Sequence, residues 1–301
     1  MAHPARRTLA TFSQVRLALP QAAPRQYNEG MPTPENSPEF ARLCRGSSDV
    51  DLIEILLEIA ADVYPRLDRE GCRREIAQLA LQSQTLSGDA EHRLRKLSEY
   101  LYEVEGFRGN EEDYYDPRNS YLNDILRRRK GLPITLGILY MAIAQSSDLK
   151  LHGVAAPGHF ILGCPMPEGT IYVDPFYGGE ILNRESCLRR IAKIAGSVSL
   201  GDVQLEPAGN LEIVARVLRN LKLACAKKND WQGALPVQRR LAALLPDYAG
   251  ERRDLGLILL RAGCGWESLQ YLEEYAQGHP QEADQLAPFL KAARRAAAEM
   301  N

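Results

Sequence analysis

The amino-acid sequence predicts an α+β domain followed by an all-α repeat region. Three observations carry this reading. Apolar residues recur at helical spacing from about residue 48 to 147; short apolar runs punctuated by Pro and Gly then read as strands; beyond about residue 208 everything is helical, with an internal period. The 301 residues are 45% hydrophobic and 25% charged, the balance of a globular chain of about two domains that needs no disulfide or metal to hold its core.

Residues 1–38 read as a disordered tail rich in Ala, Pro and Gln; their four Arg before residue 28 are also transit-peptide-like. The α+β domain then spans 39–195, a linker 196–208, and the repeats with a capping helix 209–301. The first long helix follows Ser48, a candidate cap, aligns Leu52, Ile53, Leu56, Leu57, Ala60 and Val63, and stops at Pro65. Helices over about 68–86 and 90–104 come next; Leu94, Leu97, Leu101 and Val104 share a face of the second.

The loop GFRGNEEDYYDPRNS offers Asn119 or Ser120 as cap for a short helix ending in Arg127-Arg128-Arg129-Lys130, before Gly131. Cations suit a helix C-terminus, so this run calls for no nucleic acid. Pro133 occupies the first position of the apolar helix ITLGILYMAIAQ. LHGVAA, GHFILGC, TIYVD and EIL read as four short antiparallel strands, closed by a helix over 184–195 with Asn183 as cap.

Pro246 and Pro280 lie 34 residues apart, each ending a helical hairpin. Counting back in the tetratricopeptide register places Leu218 and Ala234 in one unit and Gly256, Leu259 and Leu272 in the next, where that repeat wants large or small packing residues. Lys222 stands where the repeat prefers Gly, Ser268 where it prefers Ala, and Pro236 sits early in a helix. Trp231 and Trp266, near equivalent positions, are expected in the core. Residues 282–299 form a capping helix.

A net charge of −2 lacks the footprint of a duplex-DNA binder, and no apolar run reaches the roughly 18 residues of a membrane span. The six cysteines are scattered without metal-ligand spacing, as in reduced cytoplasmic proteins. No cofactor, metal, nucleic acid or membrane partner is expected, and the location is cytoplasmic.

One constellation bears chemistry: the helix start at Gly131-Leu132-Pro133, a strand histidine, His159, and a strand-end aspartate, Asp174, 15 residues later. On neighbouring strands the last two can meet, either as a structural hydrogen bond, as pocket lining, or as an oriented base. His152, Glu168 and Glu180 are weak additional metal ligands. Asp116, Arg118, Asn119 and Asn123 are cleft candidates, and equally ordinary turn and cap residues.

Gly158-His159-Phe160 and Val173-Asp174-Pro175 resemble the second and third elements of the transglutaminase-like fold. More narrowly, YYDPRNSYLNDILRRRKGLPITLGILYMAIA, GVAAPGHFILG and VDPFYGGEIL look like the SirB-type bacterial family, a transglutaminase-like domain followed by tetratricopeptide repeats. Related domains also stand beside an F-box in some eukaryotic proteins; this chain carries no F-box signal. The resemblance implies that Pro133 occupies the position of the catalytic cysteine, leaving Thr135 as the nearest, unactivated hydroxyl. Cys164, beyond His159 on the same strand, and Cys187, on the closing helix, are poor substitutes. His159 and Asp174 are then a vestigial pair, and Ser147-Asp148 departs from an expected Leu-Gly. The implied function is a non-catalytic protein-interaction or regulatory module that binds a protein through its repeats. Two alternatives stand beside it: a hydrolase or acyltransferase with His159 as base and Asp174 orienting it, and a small-ligand binder in the vestigial cleft.

Overall fold

The computed structural model describes residues 37–196 and 204–299. Residues 1–36 of the expected tail and much of the linker over 196–208 therefore lie outside the described residues, while Ser37 and Pro38, counted with the tail, are ordered at the start of a helix. The described chain divides into two compact units, one running from Ser48 to Val217, the other joining residues 37–47 to residues from Leu218 onward. This division falls inside a helix and not at residues 196–208, because Leu205 is buried with Val154, Ile161 and Ile191, and the Ala208 N–H bonds the Gly153 carbonyl at 2.8 Å.

In the first unit, α2 (Leu52–Ala61) is capped by Asp51, whose carboxylate accepts from the Ile53 N–H at 2.8 Å. Ser48 is not the cap; the helix starts later, where Asp51 satisfies its free amides. Asp68 and Asp89 cap α3 (Arg69–Ser83) and α4 (Ala90–Ser98), and the chain beyond α4 widens into π-type turns over Glu99–Val104. The short helix α5 (Leu122–Arg128) is terminated by Arg129 in the left-handed conformation, φ 55°, and not by Gly131. Gly131 instead belongs to β2 (Lys130–Gly131), a two-residue parallel partner of β1 (Arg108–Gly109).

Helix α6 (Pro133–Ala144) is apolar on every side and almost wholly buried, the composition of a central helix. Close approach to the sheet requires Gly137: a Cβ there would lie 2.9 Å from the Phe160 ring. After α6, Asp148, which stands where the resemblance expects Gly, adopts the left-handed φ of 53°; Asp tolerates it better than most residues.

The sheet is an antiparallel meander, β3 (His152–Val154), β4 (Ile161–Met166), β5 (Gly169–Asp174) and β6 (Glu180–Leu182), in that spatial order. Its register pairs Leu162 with Val173 and Tyr172 with Leu182. His159 precedes β4 in a turn and is not a strand residue. Helix α7 (Arg184–Ala195), capped by Asn183 as expected, buries Cys187, Ile191 and Ile194.

Helix α8 (Asn210–Lys227) crosses the division, and the second unit continues through α9 (Trp231–Leu244), α10 (Ala249–Arg261), α11 (Gly265–Gly278) and α12 (Ala283–Ala298). Leu218, Ala234, Leu259 and Leu272 are buried, and Gly256 is needed because a Cβ would meet Leu272 at 2.9 Å. Lys222, at the small-residue position, is accommodated by charge: its Nζ lies 2.8 Å from Glu251 and 2.9 Å from Asp254. Pro236 stays within α9 at the loss of one helical bond. Trp231 packs on the core, but Trp266 is 56% exposed, contrary to expectation, because the start of α11 turns it outward. The remaining helix, α1 (Pro38–Cys44), belongs to this unit: Phe40 is buried 4.8 Å beneath the Arg240 guanidinium of α9, and Arg240 donates to the Ser37 hydroxyl at 2.9 Å.

Candidate functional site

The start of α6 is fixed by the loop before α5. Thr135 donates its hydroxyl proton to the Asn119 carbonyl at 2.8 Å and accepts from the Leu132 N–H, while the Leu132 N–H also reaches the Asn119 carbonyl. Asn119 is wholly buried: its amide donates to the Asp113 carbonyl at 2.7 Å and accepts from Asn110 at 2.9 Å. It is a loop clamp and not a helix cap; Tyr121 takes the cap position of α5. Asp116 caps the turn Pro117–Asn119 and is held by the exposed Arg118 at 2.7 Å and by Arg128 at 3.3 Å. Burial opposes its charge, and the Arg118 contacts outweigh burial, so its carboxyl sits below the usual range.

The other three cations of the basic run are paired too. Arg127 meets Asp124 at 2.6 Å, Arg129 meets Glu75 at 2.6 Å, and Lys130 meets Glu112 at 2.9 Å. Asn123 stands apart from the other cleft candidates. It faces an open cleft of about 560 Å³ beside Tyr64, Leu67, Cys72 and Arg127, which shares no residue with His159 or Asp174.

The β4–β5 pairing brings His159 and Asp174 together. The imidazole Nε2 lies 2.9 and 3.0 Å from the two carboxylate oxygens, and both side chains are buried. Asp174 also accepts from Arg190 of α7 at 2.9 Å and from the amides of Phe176 and Tyr177. Burial alone would raise this carboxyl, but His159 and Arg190 hold it below its ordinary value. Arg190 continues to Glu180 at 2.5 Å and lies over the Tyr177 ring. The imidazole is walled by Phe176 and Tyr177, and Arg216 of α8 donates to the carbonyls of Ala156 and His159, fixing the turn that carries it.

Among the described residues, the candidate nucleophile positions are all spoken for. Pro133 is buried and has no reactive hydrogen, and Thr135 spends its only proton on a carbonyl. Cys187 is close enough to Asp174 to feel its charge, but burial first and Asp174 second push its thiol up to about 12, far from a thiolate at neutral pH. Burial raises Cys164 as well. Glu180 is taken by Arg190, and among the described residues no three His, Cys, Asp or Glu side chains converge as metal ligands. No described helix is long and apolar enough to cross a membrane.

Arg190 and Arg216 escaped the sequence reading. A signal for Arg190 was present: Cys187, Arg190, Ile191 and Ile194 form one i, i+3, i+4, i+7 stripe, so the arginine occupies a face otherwise apolar and needs a buried anion.

The profile of the transglutaminase-like superfamily matches residues 56–219, and that of the tetratricopeptide repeat matches residues 221–298. A UPF0162 protein of Xylella fastidiosa (strain Temecula1) is 33% identical over 244 residues, covering 76% of this chain and 84% of its own length. A UPF0162 protein of Vibrio cholerae is 28% identical over 247 residues, 79% of this chain and 91% of that one. Human F-box only protein 21 is 31% identical over 195 residues, 56% of this chain but 30% of its own. No solved structure matches the chain.

Proposed function

The chain belongs to the transglutaminase-like superfamily, in the family of the UPF0162 proteins, and from that premise we propose that it is a non-catalytic interaction or regulatory module of the cytoplasm. The observation that carries the reading is Pro133. At the helix start where the resemblance puts a nucleophilic cysteine there is a buried imino acid, while His159 and Asp174 persist as a buried pair tied down by Arg190. Buried in this way, the pair serves to pin β5 and the turn before β4, with no substrate needed to explain its retention. The repeat half supplies the partner-binding surface, since stacked helical hairpins present extended faces while their packing residues are consumed by the core. Recurrence of a related segment inside the longer F-box only protein 21 supports a portable module. Six unpaired cysteines agree with a reducing compartment.

The test is chemical. Acyl-donor and thiol-reactive probes applied to the native chain should give no labelling that depends on His159. An adduct mapped to Thr135 or to a cysteine, and lost in His159→Ala, would overturn the non-catalytic reading in favour of a hydrolase or acyltransferase.

A further inference from the structure

The contact between α1 and α9 has the composition of a peptide bound to a receptor. Phe40 and Leu43 lie three residues apart on a single short helix, and Ser37, three residues before Phe40, is the extended N-cap residue that precedes it. Phe40 and Leu43 are buried, and the pocket wall opposite is Arg240, 1% exposed, which covers the Phe40 ring and holds the Ser37 hydroxyl at 2.9 Å. The helix has only seven residues, so it owes its existence to this docking and not to its own propensity.

We propose that the face of α9 around Arg240 is a peptide-recognition site, filled in the resting chain by its own α1. The partner it fits is an amphipathic helical segment with a small hydroxyl residue, an aromatic residue and a leucine at i, i+3 and i+6. Binding such a segment displaces α1, and the arginine reads both the aromatic face and the hydroxyl. This rests on the reading of the repeat half as the partner-binding half, and it adds which surface binds and what chemistry it selects.

The experiment uses the full chain and a fluorescent peptide of residues 37–47. A tethered segment competes at an effective concentration in the millimolar range, so the native chain should bind the peptide on the order of ten-fold more weakly than the Phe40→Ala/Leu43→Ala chain, whose own segment cannot seat. Adding Arg240→Met to that variant should abolish binding. A folded double variant that leaves the peptide unbound would overturn the proposal. Hydrogen exchange on the unaltered chain tests displacement independently if the variant does not fold: the Ala41 and Arg45 amides, bonded to Ser37 and Ala41 carbonyls, should exchange faster than those of α9. Equal protection would make α1 a permanent core element and refute displacement. Neither outcome bears on the probe test of the non-catalytic reading, so the two failures are distinguishable.

Discussion

Replacing Asp174 by Ala removes the acceptor for four donors at once: His159, Arg190 and the amides of Phe176 and Tyr177. Arg190 retains Glu180 and some solvent, but the imidazole is sealed in and the Phe176 amide is buried. Breaking a buried charged pair from one side costs about 3–5 kcal/mol, the dominant contribution being the partner left behind. For a unit of this size each kcal/mol is worth roughly 2–4 °C, so the transition of the first unit should fall by about 6–20 °C. Asp174→Asn keeps one acceptor oxygen for the amides but loses the charge and the second acceptor that faces Arg190, and should fall between the native chain and the Ala variant. Hydrogen exchange at β4 and β5 amides isolates this unit from the repeats. The Asp174 carboxyl is held below its ordinary value, so its stabilisation is fully present above the unfolded pKa of about 3.9 and is lost as pH falls through the folded value. The gap between native and variant should therefore be constant near neutrality and close below about pH 4. A loss under about 1 kcal/mol at pH 7 would refute the account of the pair as a structural pin.

Three further outcomes are expected. Gly137→Ala should lose about 1–3 kcal/mol in urea unfolding, since its Cβ would sit 2.9 Å from Phe160, and a neutral result would mean that α6 and the sheet can separate freely. Lys222→Met removes the cation shared by Glu251 and Asp254, which keep Arg219 and Arg253, and should cost about 1–3 kcal/mol; it should also raise the Glu251 carboxyl, moving acid unfolding to higher pH. Cys44, exposed, should react with an aromatic disulfide reagent in the native chain, whereas Cys187 and Cys225, both pushed up to about 12 by burial, should react only on unfolding; mass mapping of early adducts to the latter two would contradict their burial.

Much of this was legible in the sequence because the punctuation is chemically unambiguous. Pro133 after Gly131 can only open a helix, and the Pro and Gly clusters around residues 157, 165 and 175 leave room for little but short strands. The resemblance singled out His159 and Asp174, and their 15-residue separation allowed the two to meet, although the turn that carries His159 could not be read from it. Caps were less readable. Ser48 and Asp51 are both good cap residue types, and it is the Asp51 carboxylate that takes the Ile53 and Glu54 amides. Asn119 misled for a related reason, since its side chain found backbone carbonyls within its own loop before any helix amide. Arg190 and Arg216 were missed because they act across elements, where local periodicity says which face a residue occupies but not which anion or carbonyl awaits it. Trp266 shows the converse, an aromatic residue on a helix whose first turn faces water.

The docking of α1 also sets a clock on biosynthesis. Ser37 and Arg240 are 203 residues apart in the chain, so α1 leaves the ribosome long before α9 exists to receive it. At roughly 5–20 residues per second the interval is about 10–40 s, ample time for the unit beginning at Ser48 to collapse meanwhile. Throughout it Phe40 and Leu43 are displayed to solvent as an apolar hook with no seat. A nascent chain halted before α9 would keep that hook exposed indefinitely, the kind of signal by which chaperones and proteases tell unfinished molecules from complete ones.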